Sequence, residues 1–289
     1  MARIASLREA VTDIVADGDT VAMEGFGHLI PYAAGHEVAR QGKRDLTLVR
    51  MAPDLVYDQL IGIGCAKRLV FAWCGNPGVG PLHRFRDAVE HGWPRPLELE
   101  EHSHAGMAGA YAAGAADLPY ALVRGYAGSD LPRHNDRIRP VTCPFTGEEL
   151  AAVPAIRTDV AIVHAQRADR RGNVLLWGAL GVQKEAVLAA RRAIVTVEEI
   201  VDDLEAWPNA CVLPRSAVTA VCRVPGGAYP SYAEGYGRRD RGFQEAWDAI
   251  ARDREAFGVW MRRHVLDTAD FAEFRRVLAE TTGTDRKAA

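Results

Sequence analysis

Two short glycine loops carry the residue types best suited to hold an acyl or phosphate group. Gly25-Phe26-Gly27 follows the apolar run 20–23, and Asn76-Pro77-Gly78-Val79-Gly80 follows the run 66–72. Glycine there lets a backbone N–H approach a phosphate or carbonyl oxygen, because no Cβ stands in the way. Each loop reads equally well as a plain tight turn. Neither lies in a GxGxxG or Walker sequence. His164 and Gln166 close the apolar run 160–165, where a strand delivers side chains into a cleft. A histidine at such a place is also a common structural residue. Glu100, Glu101, His102 and His104 form a local acid–imidazole cluster without the spacing of a metal motif. Glu198 and Glu199 put adjacent carboxylates on opposite faces of a strand, one expected to be structural and one solvated. No GxSxG, HExxH or Cys–His motif offers a nucleophile.

The elements that must position these groups follow from the apolar pattern. Ser6 and Glu9 spell a capping box before a helix at 7–16. Strands are predicted at 20–23, 46–51, 66–72, 97–100, 160–165, 174–176, 193–197 and 218–222, and helices at 32–41, 54–61, 81–91, 104–116 and 184–191. From residue 242 onward the spacing is helical, and 281–289 reads as a frayed polar end. Residues 124–147 hold three prolines and a polar run, and read as a long loop or interface arm. Near-continuous apolar strands alternating with helices predict an α/β fold. Its sheet is open, mostly parallel and covered by helices on both faces, in one domain spanning 1–289.

Composition narrows the function classes. The 289 residues carry a formal charge of −3, with 48% hydrophobic and 25% charged. No basic field exists to hold nucleic acid or an anionic membrane. No apolar run approaches the ~20 residues of a membrane span, and the first residues lack the apolar core of a signal peptide, so the cytoplasm is expected. Cys65, Cys74, Cys143, Cys211 and Cys222 are scattered, odd in number and without a CxxC pair. Neither zinc ligation nor a disulfide framework is expected, and Cys74 reads as a small buried hydrophobe. The residues alone thus point to an α/β enzyme with an acyl or phosphate ligand.

A series of ordered segments resembles the A subunit of the family I coenzyme A transferases, in the glutaconate CoA-transferase branch. They include Asp17-Gly18-Asp19, Val21-Ala22-Met23-Glu24-Gly25-Phe26, Pro31-Tyr32-Ala33-Ala34, Asp45-Leu46-Thr47, Gly64 with Lys67, Arg84-Phe85-Arg86 and Leu118-Pro119-Tyr120. Asp159 to Gln166, Gly172-Asn173, Trp177-Gly178, Ile194 to Ile200 and Pro225 to Ser231 continue the series, which spans about residues 7–275. The resemblance implies an enzyme subunit that moves CoA between an acyl-CoA and a carboxylic acid. It implies a glutamate nucleophile on a B-type partner chain, hence a hetero-oligomer, no catalytic residue in this chain, and no metal or organic cofactor. The substrate wall would come from Gly25, Phe26, Gly27, Asn76, Gly78, Val79 and Gly80, with His104 and Gln166 as further contacts.

Departures from the family pattern bear on the substrate. Glu24 stands where the family often has glycine, and His28-Leu29-Ile30 replaces basic residues in a loop that is shorter here. Pro77 matches a serine that lies near the substrate in glutaconate CoA-transferase. These changes remove polar contacts and leave an apolar acid as well supported as a dicarboxylic one. A related branch opens a steroid-derived ring by hydrolysis, using a glutamate of its A-type subunit. His104 falls at that position, with Glu100 and Glu101 close by. An acyl-CoA hydrolase and a non-catalytic acyl-CoA binder are the alternatives.

Overall fold

The structure is a computed structural model and describes residues 2–282. The chain opens with β1 (Arg3–Ile4), α1 (Leu7–Ile14), β2 (Thr20–Glu24), α2 (Tyr32–Arg40) and β3 (Leu46–Arg50). Next come α3 (Leu55–Gly62), β4 (Ala66–Phe71), α4 (His83–His91), β5 (Glu98–Glu101) and α5 (His104–Ala115). A small unit follows: β6 (Tyr120–Val123), α6 (Leu131–His134), β7 (Arg139–Thr142) and β8 (Glu149–Pro154). The chain returns through β9 (Thr158–Asp169), β10 (Val174–Leu176), α7 (Gln183–Ala189), β11 (Ala190–Val201), β12 (Cys211–Leu213) and β13 (Ala220–Arg223). It ends with α8 (Arg241–Arg252), α9 (Arg254–Met261), a π-helical turn at Arg262–Leu266 and α10 (Phe271–Thr282).

The main sheet runs β1-β13-β11-β9-β2-β3-β4-β5, and every neighbouring pair along that path is parallel. Strand β10 pairs antiparallel with β9, and β12 in turn antiparallel with β10. Alternate residues face two covered sides, which is why the strands read as unbroken apolar runs. Val21, Met23 and Leu48 point into a core beneath α1–α3 and the C-terminal helices. Ala22, Val49 and Val70 point oppositely, against Met107 and Tyr111 of α5. Apart from the edge strand β1, chain order runs outward in both directions from the β2–β9 pair. That pair is the topological switch point, where the carboxyl ends of parallel strands open a crevice. The loop after β2 therefore lies at the mouth.

The capping box forms as expected, with Glu9 N–H donating to Ser6 Oγ at 3.2 Å and Ser6 N–H to Glu9 Oε2 at 3.0 Å. The expected loop at 124–147 is largely loop, but it also holds α6 and β7. Strands β6, β8 and β7 form a separate antiparallel sheet, packed on α5 through Ala110, Tyr126, Ile138, Ala151 and Val153. Its strands are short and half exposed, and Pro140 sits in an edge strand, where a missing N–H is tolerated. Strands β9 and β11 outrun their predicted apolar cores because their ends pair polar residues, Arg167 opposite Glu199. Strands β1 and β12, two and three residues long, leave no periodic signal. Thr281 still belongs to α10; the rest of the expected frayed end lies outside the described residues, apart from Thr282 at the helix terminus.

Candidate active site

The first glycine loop folds back on itself at the end of β2. A Cβ on Gly25 would stand 2.6 Å from the Leu29 carbonyl oxygen and 2.8 Å from Ile30 Cα, so the turn closes only around glycine. Gly27 and Leu29 both take positive φ, 74° and 53°. Leu29 N–H donates to the Tyr232 carbonyl at 2.8 Å, and Ser231 Oγ donates to the Gly27 carbonyl at 3.2 Å. Phe26 is left 48% exposed at the tip. His28 lies buried beneath it, its ring against Tyr232 at 5.3 Å and close under Gly178 and Glu234. Burial lowers the His28 pKa, with Glu234 opposing, so the imidazole is neutral at pH 7.

A buried polar network supports this loop. Arg50, at the end of β3, is 1% exposed. It grips Asp54 through Nη1 at 2.9 Å and Nη2 at 3.2 Å, and donates to the Gly25 carbonyl at 3.0 Å. Asp54 in turn caps α3, accepting from Val56 N–H. Glu24 Oε1 accepts from Met51 N–H at 3.0 Å and Tyr111 Oη–H at 2.9 Å. Loops after β2 and β3 are thus joined, and α5 reaches them through Tyr111.

Burial pushes the Glu24 carboxyl up to about 7 from its ordinary 4.5, against the pull of Arg50 and the hydrogen bonds from Tyr111 and Met51. Near pH 4 and below, the group is protonated whether the chain is folded or not. Between 4.5 and about 7 the folded chain holds the proton more tightly, so stability falls as pH rises. The loss is complete above about 7 and amounts to something on the order of 3 kcal/mol. Glu24→Gln keeps an Oε1 acceptor and removes the titration. Any fixed cost of the amide is the same at every pH. Relative to wild type, the variant is therefore expected to gain stability from pH 4.5 to pH 8, read as the difference in urea midpoints. A flat difference would rule out Glu24 as the titrating group.

The second glycine loop is closed by its own backbone. Asn76 N–H donates to the Gly80 carbonyl at 2.9 Å, while Val79 and Gly80 N–H donate back to the Asn76 carbonyl at 3.0 and 3.1 Å. Gly78, with φ 72°, is exposed at the tip. Among the described residues its N–H meets no acceptor. The buried Asn76 side chain donates to the Gln244 carbonyl at 2.7 Å, and its Oδ1 has no hydrogen-bond partner among the described residues. Asp58 of α3 fixes the next helix. Its Oδ1 accepts from Arg84 and Phe85 N–H at 2.8 and 2.9 Å, supplying the cap that Leu82 cannot.

A third segment, 224–245, brings the two loops together, and sequence reasoning assigned it no site residue. Beyond Ser231 and Tyr232, Arg239 donates to the Gly27 carbonyl, Arg241 to the Gly78 carbonyl at 3.2 Å, and α8 presents the Gln244 carbonyl to Asn76. The only signal was the run Arg238-Arg239-Asp240-Arg241 ahead of a helix that Asp240 caps.

The remaining candidates lie elsewhere in the fold. Gln166 is fully buried and clamps Trp177, donating to its carbonyl at 3.0 Å and accepting from its N–H at 3.2 Å. His164 is held between Thr196 Oγ1 and Glu198 Oε1, each at 2.9 Å, and Glu198 also accepts from Gly226 N–H at 2.6 Å. Glu199 is the more exposed carboxylate of that pair, beside Arg167 and Tyr236. His104 is an exposed first residue of α5, and no hydrogen bond or ring contact ties it to either glycine loop. The buried imidazole nearby is His102, 2.9 Å from Glu100 Oε1. No cluster among the described residues could hold a metal ion. Cys74 packs against the core, and burial pushes its thiol up to about 12.

The family profile described as Coenzyme A transferase matches residues 4–223. The chain belongs to the coenzyme A transferase family. This CoA-transferase chain is 65% identical to the A subunit of 3-oxoadipate CoA-transferase from Pseudomonas knackmussii, over 97% of this chain and 99% of that one. It is 33% identical to the A subunit of glutaconate CoA-transferase from Acidaminococcus fermentans, over 97% and 93%. The crystal structure of the latter enzyme superposes with a TM-score of 0.90, covering 97% of this chain and 94% of that one at 32% identity. A cholesterol ring-cleaving hydrolase subunit of Mycobacterium tuberculosis is 29% identical over 91% and 95%. The expected α/β architecture and A-subunit character are thereby shown. No helix among the described residues is long and apolar enough to cross a membrane.

Proposed function

We propose that this A-type subunit pairs with a B-type chain and that the pair moves CoA from an acyl-CoA donor to 3-oxoadipate. The reading is carried by the 65% identity to the A-type chain of a 3-oxoadipate CoA-transferase, across nearly all of both sequences. It favours a dicarboxylic acid over the apolar acid that the loop substitutions left open. A glutamate carboxylate of the B chain attacks the thioester carbonyl, giving an acyl-glutamyl anhydride and CoA thiolate. The thiolate attacks the glutamyl carbonyl and releases the first acid. The resulting glutamyl-CoA thioester is attacked by the acceptor carboxylate, and a second thiolate attack regenerates the glutamate. This chemistry calls on no metal or organic prosthetic group. Gly25, Phe26, Gly27, Asn76, Gly78, Val79 and Gly80 form this subunit's share of the substrate wall, with Gly78 N–H turned outward as a donor for developing oxyanion charge. Gln166 serves this wall at one remove, by bracing Trp177, and His104 stands outside it. The heteromer is placed in the cytoplasm, among acyl-CoA pools.

Co-expression with the B-type chain and an acceptor series tests the reading. Transfer to 3-oxoadipate is expected to exceed transfer to glutaconate by about tenfold or more in kcat/KM, within the few kcal/mol a polar site can discriminate. The hydrolase alternative makes the opposite demand: CoA thiol would appear with no acceptor acid present. That result would replace the transferase reading.

A further inference from the structure

The positive charge at the two glycine loops comes from outside them. Residues 25–31 and 73–82 contain no lysine or arginine. Arg50 beneath the first loop is sealed from solvent and held by Asp54 and the Gly25 carbonyl. The exposed cations that touch the loops stand two residues apart, ahead of and at the start of α8. Arg239 Nη2 donates to the Gly27 carbonyl and Arg241 Nη2 to the Gly78 carbonyl at 3.2 Å. Asp240 between them is turned inward, accepting from Tyr229 Oη–H at 2.8 Å and Phe243 N–H at 3.0 Å. Arg241 also meets Glu245 at 3.2 Å. Among the described residues no carboxylate forms an ion pair with Arg239, and its bond to Gly27 uses one of five N–H donors.

We propose that Arg239, assisted by Arg241, receives the far carboxylate of a dicarboxylic acid substrate. The assignment rests on the transferase reading above and names the group that makes the second carboxylate count. A guanidinium presents parallel N–H donors that match a carboxylate edge, and the pairing is charge-assisted. The half-exposed Phe26 and Trp73 offer apolar surface for the methylenes between the two ends. Phosphate is the other anion this substrate pair contains. The phosphates of CoA lie a full pantetheine arm from the thioester, whereas both arginines are fixed on the loops that face the acyl group.

The test uses the complex with the wild-type B chain and Arg239→Gln, Arg239→Lys and Arg241→Gln in this chain. The readout is the ratio of kcat/KM for 3-oxoadipate to that for 3-oxohexanoate, which has the same length and one carboxylate. Arg239→Gln is expected to lower the ratio about tenfold or more, the scale of a charge-assisted pair, with part restored in Arg239→Lys and a smaller fall in Arg241→Gln. If both acids lose equally, Arg239 only props the Gly27 loop and the assignment is overturned. It is overturned as well if the ratio holds while KM for the acyl-CoA rises, since the arginine would then serve a CoA phosphate. Other unbranched diacids and their monoacid counterparts keep the two readings apart. A wild type that refuses 3-oxoadipate but takes another diacid sinks the proposed acceptor, and the ratio for that diacid still decides the arginine. A wild type indifferent to the second carboxylate sinks the arginine assignment.

Discussion

Purified alone, this chain is expected to transfer CoA at least ~10³-fold more slowly than the complex, whose turnover should fall in the ordinary enzymatic range of ~1–10³ s⁻¹. The reason lies in where its carboxylates are. A nucleophilic carboxylate must reach a thioester carbon and be free of other bonds. Glu24 is 3% exposed, and its Oε1 holds Met51 N–H and Tyr111 Oη–H. Asp54 is clamped by Arg50, and Asp58 by Arg84, Phe85 and Trp247. Glu198 is shared by His164 and Gly226. Glu234 is the exposed carboxylate beside the first loop, under Gly178. Exposed Phe26 and Trp73 also leave the loop tips open to water, which a partner surface would exclude. Steady-state assays of the single chain and of the reconstituted pair decide the matter. Comparable rates for the two would place the nucleophile in this chain. Loss of the single-chain rate in Glu234→Gln would then name it.

Strand and helix positions around the crevice were legible because each strand there is buried on both faces and bounded by glycine or proline. Gly25 and the Asn76–Gly80 loop could be picked out for the same reason: glycine after an apolar strand has few uses. What escaped was held by contacts between distant residues. Arg239 lies 212 positions from Gly27, and no local pattern ties a charged run before α8 to a loop after β2. Tyr111 sits in a helix of alanines and glycines that reads as simple packing, yet its hydroxyl reaches Glu24 across 87 positions. His104 and His102 show the limit of alignment by position. A shift of two residues separates an exposed ring from one buried against Glu100, and composition cannot tell them apart. The small sheet was hidden because half-exposed strands with a proline at the edge look like loop.

Replacing Arg50 with methionine should destabilise the chain by ~3–5 kcal/mol, the usual cost of leaving one charge of a buried pair without its partner. Both side chains are nearly sealed, at 2% and 5% exposure, so water cannot take over the role of the guanidinium. Methionine fills much of the volume, and the loss is therefore electrostatic rather than a cavity. Asp54 keeps its bond to Val56 N–H and is left a buried carboxylate without its cation. The Gly25 carbonyl loses its donor at the same time. Urea unfolding of the variant measures the first effect. The double variant Arg50→Met/Asp54→Asn measures its cause: asparagine still caps α3 but buries no charge, so the pair should recover ~1–3 kcal/mol of the single-variant loss. Turnover of the complex should stay depressed in the double variant, because the Gly25 carbonyl is still unheld. Recovery of stability without recovery of turnover would separate the two duties of Arg50, pairing a charge and setting the first loop. A single-variant cost below ~1 kcal/mol would mean that Asp54 is not an uncompensated ion in the folded chain, and the network beneath the loop would need a different account.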